Sequence, residues 1–153
     1  MDLVALLLVL AAAISPGQPG DGAAAAKPTA AAAAAGKTVK ISHSRFGDIL
    51  VDGRGHTLYL FTKERTPKVR CYSDCARAWP PLITKGKPHA GKGADARLVG
   101  TSKRRNGKRQ VTYNGHPVYY YVADRKAGQI TCQNVAEFGG TWLVVSPAGN
   151  AIR

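Results

Sequence analysis

Acidic side chains are scarce in this chain: nine Asp and Glu stand against 22 Lys and Arg, a formal net charge of +13 over 153 residues. That imbalance excludes a basic partner surface and points to nucleic acid, anionic lipid or an anionic envelope polymer, with plain solubility as the competing explanation. Long apolar runs are missing too. The longest, residues 3–14, has twelve residues, too few for a membrane-spanning helix but right for a signal-peptide core. The catalytic signatures are absent: there is no HExxH, no Gly-rich phosphate loop and no Ser-His-Asp arrangement. Cysteine is limited to Cys71, Cys75 and Cys132, and the first two are separated by three residues rather than the two of a thiol redox motif. Neither enzyme activity nor a cofactor is expected.

What is present divides the chain into three. Residues 1–22 read as a signal-peptide region, with Ala11 and Ala13 offering a cleavage pattern, although Asp2 is acidic and no base precedes the apolar run. No cysteine follows closely, as a lipid anchor would require. Residues 23–37 are an Ala/Pro-rich stretch with no amphipathic face, expected to be a disordered spacer. The folded domain is then 38–153. Removing 1–22 takes away Asp2 and Asp21 and no base, leaving 22 basic and 7 acidic side chains, or +15. An exported, monomeric, basic protein, secreted or held at the cell envelope, is the expectation.

The domain repeats itself. Sliding residues 39–65 onto 99–125 gives nine identities in 27 positions, among them Gly55/Gly115, His56/His116 and Tyr59/Tyr119, against roughly two expected from ordinary composition. Cys71 then answers Cys132, and Trp79 answers Trp142. Copy one is 38–91 and copy two 92–153. The local chemistry is β. Asn106-Gly107 and Asn114-Gly115 favour tight hairpin turns, so strands are expected at 98–105, 108–113 and 116–123. By transfer, copy one has strands at 39–45, 48–52 and 56–62. A fourth strand follows each cysteine loop, at 141–146 and more weakly at 81–84. Residues 117–122 are apolar or aromatic on both faces, which places that strand centrally. The predicted fold is all-β: a tandem pseudo-twofold repeat of three- to four-stranded antiparallel meanders sharing one core.

These residues carry a family resemblance. Copy two contains Tyr119-Tyr120-Tyr121-Val122-Ala123-Asp124, and copy one Tyr59-Leu60-Phe61-Thr62-Lys63-Glu64. Cys71 and Cys75 precede Trp79-Pro80-Pro81-Leu82, and Gly139-Gly140-Thr141-Trp142 closes the second copy. The chain resembles the secreted repeat family, often lipoproteins, marked by a Tyr-x-aromatic-x-x-Asp motif. The resemblance covers essentially the whole domain and implies export and a tandem β repeat. It supplies no function.

Several groups are candidates for chemistry. Lys103, Arg104, Arg105, Lys108 and Arg109 form a basic hairpin tip, expected to be exposed and to meet phosphates or carboxylates, unless it is only a solvated edge. Nucleic acid is a lesser candidate partner than envelope polymer or lipid. His56 and His116 occupy equivalent turns and, with the cysteines, suggest an alternative metal, haem or redox role. The competing reading is a turn histidine bonded to a backbone carbonyl. Glu64 and Asp124 resemble a glycosidase pair only superficially; backbone N–H groups or a neighbouring Arg are their expected partners. Cys71 and Cys75 are expected to form a structural disulfide closing without a helix, leaving Cys132 unpaired, with a Cys71–Cys132 link as the rival. The motif aromatics Tyr59, Phe61, Tyr119 and Tyr121 read as core or as a stacking groove.

Overall fold

The computed structural model describes residues 36–66 and 68–153. The expected signal-peptide region and all of the spacer except Gly36 and Lys37 lie outside the described residues. Copy one contributes β1 (Thr38–Ser44), β2 (Gly47–Asp52), β3 (Tyr59–Phe61), a helical turn α1 (Asp74–Ala78), β4 (Ile83–Thr84) and β5 (His89–Ala90). Copy two contributes β6 (Val99–Lys103), β7 (Arg109–Tyr113), β8 (His116–Tyr119), β9 (Val135–Glu137) and β10 (Gly140–Val144). The strands make two sheets, one of three strands in the order β2-β1-β5 and one of seven. In the larger sheet β4-β7-β8-β3-β10-β9 run in sequence and β6 adds to β7. All pairings are antiparallel except β1 with β5.

The turns form as their residues dictate. Asn114 and Gly115 both take positive φ, 48° and 72°, the conformation a two-residue hairpin needs to match strand twist. In the β6–β7 turn only Gly107 does, at 79°, so this corner is a wider loop closed by an Arg104–Lys108 backbone bond. The helical turn α1 contains Cys75 and corrects the expectation of a helix-free cysteine loop. It is too short to change the all-β class.

Tyr59 pairs with Tyr119, its own counterpart, across β3 and β8. Antiparallel pairing of equivalent residues puts the pseudo-twofold axis between these two strands, at the centre of the seven-stranded sheet. Around that axis the copies exchange their last segments. Copy two's β10 pairs with copy one's β3, Trp142 opposite Phe61 and Leu143 opposite Leu60. Reciprocally, residues 78–82 of copy one follow β8 of copy two, with Tyr120 N–H bonded to the Pro80 carbonyl and Val122 N–H to that of Ala78. β4 continues this segment onto β7. The exchange begins within β8: β7 pairs only His116 and Pro117, and from Val118 onward the copy-one segment takes its place, with Leu82 N–H bonded to the Val118 carbonyl and Pro81 bridging Tyr119, so the strand ends at Tyr119 rather than 123. Neither copy completes the seven-stranded sheet alone, whereas the three-stranded sheet lies wholly within copy one.

The strand faces separate two parts of the core. Leu58, Leu60, Val118 and Leu143 join an aliphatic cluster with Leu50, Leu82 and Val111 on one side. Tyr59, Phe61, Tyr119, Trp79 and Trp142 join an aromatic cluster on the other. β3 is buried on both faces, as a central strand must be.

Candidate functional site

The motif residues meet at the axis, and they do so across copies. The Tyr59 hydroxyl donates to Asp124 Oδ2 at 2.6 Å, and that of Tyr119 to Glu64 Oε2 at 2.7 Å. Each tyrosine therefore bonds the carboxylate of the other copy. The second oxygen of each carboxylate organises its own cysteine loop: Glu64 Oε1 accepts from Arg70 and Cys71 N–H, and Asp124 Oδ1 from Thr131 N–H and its hydroxyl. Burial and the adjoining carboxylate push both phenols well above their ordinary range. Charge-assisted bonds of this kind are about twice as strong as neutral ones. Trp79 and Trp142 stack at 4.1 Å with planes 2° apart, each touched edge-on by one tyrosine, Tyr59 or Tyr119. Phe61 stacks on Trp142 and Tyr121 leans on Trp79. All six rings lie in or against the core. This is a structural lock: both carboxylates are spent on tyrosine and loop N–H and hydroxyl groups, and among the described residues neither has an arginine partner.

The histidines occupy separate turns. His116 Nδ1 lies 3.1 Å from the Glu64 carbonyl, the turn-histidine arrangement, and burial lowers its pKa. His56 Nδ1 is buried 3.6 Å from Asp52 Oδ1. Asp52 itself accepts N–H bonds from Arg54 and His56 and the hydroxyl of Tyr120. Burial alone would raise the Asp52 carboxyl, but these bonds outweigh it and lower its pKa. Among the described residues no group of three or more His, Cys, Asp or Glu stands together to hold a metal. Cys71 and Cys75 form a disulfide, and Cys132 is free and buried. Burial pushes the Cys132 thiol up.

The basic tip is not one surface. Arg104 is only 5 % exposed, correcting the expectation that all five charges project into solvent. Its guanidinium donates to Gln110 Oε1 and the Cys71 carbonyl, both at 2.6 Å. The five-residue corner turns it inward because the cysteine loop supplies one acceptor there and β7 the other. Arg109 leans the other way, onto the Lys85 carbonyl. Lys103 and Arg105 remain exposed and face Lys68 and Arg70 across an open groove of about 510 Å³. Lys108 lies outside that lining, exposed at the turn. The groove thus joins copy two's hairpin to copy one's cysteine loop, two clusters visible in the sequence but 33 residues apart. Tyr72, which carries Arg104 and Arg105 over its ring at 4.5 and 3.8 Å, had no sequence signal beyond its place between the cysteines.

Comparison with known proteins places the chain. The model of a family described as a secreted repeat of unknown function matches residues 40–83 and again 100–146, one match in each copy. The chain belongs to this family of secreted repeats. No curated protein and no solved structure matches it. Among the described residues no helix is long and apolar enough to cross a membrane.

Proposed function

We propose that the protein is a non-catalytic exported module that holds an anionic polymer of the cell envelope against its basic face. The observation carrying this reading is the set of cations at the β6–β7 hairpin and the cysteine loop: among the described residues none of Lys68, Arg70, Lys103, Arg104, Arg105 and Lys108 makes an ion pair. Here the two motif carboxylates, Glu64 and Asp124, are turned to tyrosines and loop N–H groups instead. The face is left to external anions.

Binding to polymeric phosphate, anionic vesicles and DNA at low and moderate salt tests it. Affinity should fall steeply with salt, because each neutralised phosphate contributes about 0.7–0.9 to the log–log slope. Absence of binding to all three at low salt would remove the proposal.

A further inference from the structure

Resting on that reading, we infer that the groove between the β6–β7 hairpin and the Cys71 loop is the binding site itself, and that it takes a phosphodiester chain by its phosphates rather than by bases or lipid. Its lining is Lys68, Arg70, Tyr72, Lys103, Arg104 and Arg105, with Val69 between. Four exposed cations rim it and no acidic side chain lines it. At its floor lies a buried guanidinium whose hydrogen-bond partners are the neutral Gln110 amide and the Cys71 carbonyl. A buried cation held by neutral acceptors alone is costly, and an anion in the groove offsets that cost. Gln110 also donates to the Val118 carbonyl of β8, at 3.0 Å, so the floor is fixed to the central strands before any ligand arrives.

The symmetry-related groove supplies a control within the molecule. It is lined by Ser42, His43, Ser44 and Arg45 of β1–β2 and by Gly128 and Ile130 of the opposite loop, and measures about 250 Å³. There Arg45 donates to the Ile130 carbonyl, and His43 faces Asp48 at 3.0 Å. The same backbone thus forms a smaller, less basic groove. Lys68, Arg70 and Lys103 mark one groove only, whereas Arg105 has its repeat counterpart in Arg45, which lines the smaller groove.

Two features choose the ligand class. The Tyr72 ring already carries two guanidinium groups, with which a stacking base would compete, whereas single-strand binders rely on open aromatic faces. The large exposed hydrophobic side chains, Val122 and Phe138, lie outside the groove lining, so it carries no apolar anchor for a bilayer. A flexible, base-free phosphate chain fits a concave basic channel, and arginine's planar fork suits its phosphates.

The test uses the full chain and four probes: poly(glycerol phosphate), a polyglutamate of matched charge, single-stranded DNA, and phosphatidylglycerol vesicles. A groove variant (Lys68→Gln, Arg70→Gln, Lys103→Gln, Arg105→Gln) is compared with a variant losing four exposed charges elsewhere (Lys37→Gln, Lys87→Gln, Lys92→Gln, Lys126→Gln). Near-ultraviolet circular dichroism confirms that both fold. The groove variant should lose roughly 2–3 from the salt slope with poly(glycerol phosphate) and on the order of tenfold in affinity at low salt, while the control changes little. Equal losses in both variants would overturn the groove and leave general polyanion binding standing. Tighter binding of DNA, polyglutamate or vesicles would overturn the ligand class. No binding to any probe would overturn both the groove and the function it rests on.

Discussion

Removing one hydroxyl from the motif should distinguish its two halves. Glu64 is 1 % exposed, and its Oε2 accepts from the Tyr119 hydroxyl while Oε1 serves the cysteine loop. Tyr119→Phe strands a buried carboxylate oxygen, and hydrogen bonds to charged groups are worth about 1.5–3 kcal/mol, with further cost for an unsatisfied buried partner. We expect a loss of about 2–3 kcal/mol. Tyr59→Phe removes the equivalent bond to Asp124, but Asp124 is only half-buried and water can take the vacated oxygen. That change should cost about 1 kcal/mol. Urea unfolding followed by the fluorescence of the two buried tryptophans measures both, and an unchanged denaturant slope shows that the transition stays comparable. At about 4 °C per kcal/mol for a domain of this size, the melting temperatures should separate clearly. A Tyr59→Phe loss equal to or larger than that of Tyr119→Phe would refute the argument from burial.

Other outcomes follow from the same contacts. Tyr59, Tyr119 and Tyr120 have raised pKa values in the fold, from burial first and then a carboxylate partner. Unfolded tyrosine ionises near 10, so stability should be intact below that pH and fall above it by up to about 1.4 kcal/mol per unit for each group; the tyrosinate absorbance of these three should appear together with unfolding, not before it. Arg104→Gln should destabilise by about 1–3 kcal/mol through its two buried bonds, whereas the exposed Lys108→Gln should stay within about 0.5 kcal/mol; calorimetry of the two decides whether the tip is one surface. Mapping of non-reduced peptides should show the Cys71–Cys75 link and a Cys132 thiol slow to alkylate until the protein unfolds.

The all-β class, the order of strands in each copy and the central place of 117–119 could be read from turn dipeptides and two-residue periodicity, but 120–122 lie outside the covered strand and Val122 is 57 % exposed. The exchange of last segments could not. Antiparallel pairing of β10 with its own copy's β8 or with the other copy's β3 presents the same apolar alternation, so periodicity does not choose between them, and in the fold β10 takes the other copy's β3. The carboxylates were legible as acceptors of backbone N–H groups or partners of a neighbouring Arg, because Glu64 and Asp124 end their strands before basic turns, and the first of these is what forms. Their tyrosine partners lie 55 and 65 residues away, beyond any local signal. Arg104 looked like its neighbours because charge dominates a sequence reading of a turn, while its burial depends on the Cys71 carbonyl brought from the other copy and on the Gln110 amide of its own. Lys68 and Arg70 were visible as basic, but their meeting with Lys103 and Arg105 is a product of tertiary pairing.

The central claim is that each copy is completed by the other, in its sheet, its carboxylate bonds and its basic groove. Expressing 36–91 and 92–153 as separate chains and then mixing them tests this most directly. Each alone lacks the partner strand for its own third strand and the tyrosine for its own carboxylate, and a sheet of so few strands is marginal by itself. Amide spectra should be collapsed for each fragment alone, then disperse on mixing into the spectrum of the intact domain, with polyanion binding recovered in the same titration. Two fragments that are well dispersed and melt independently before mixing would contradict it.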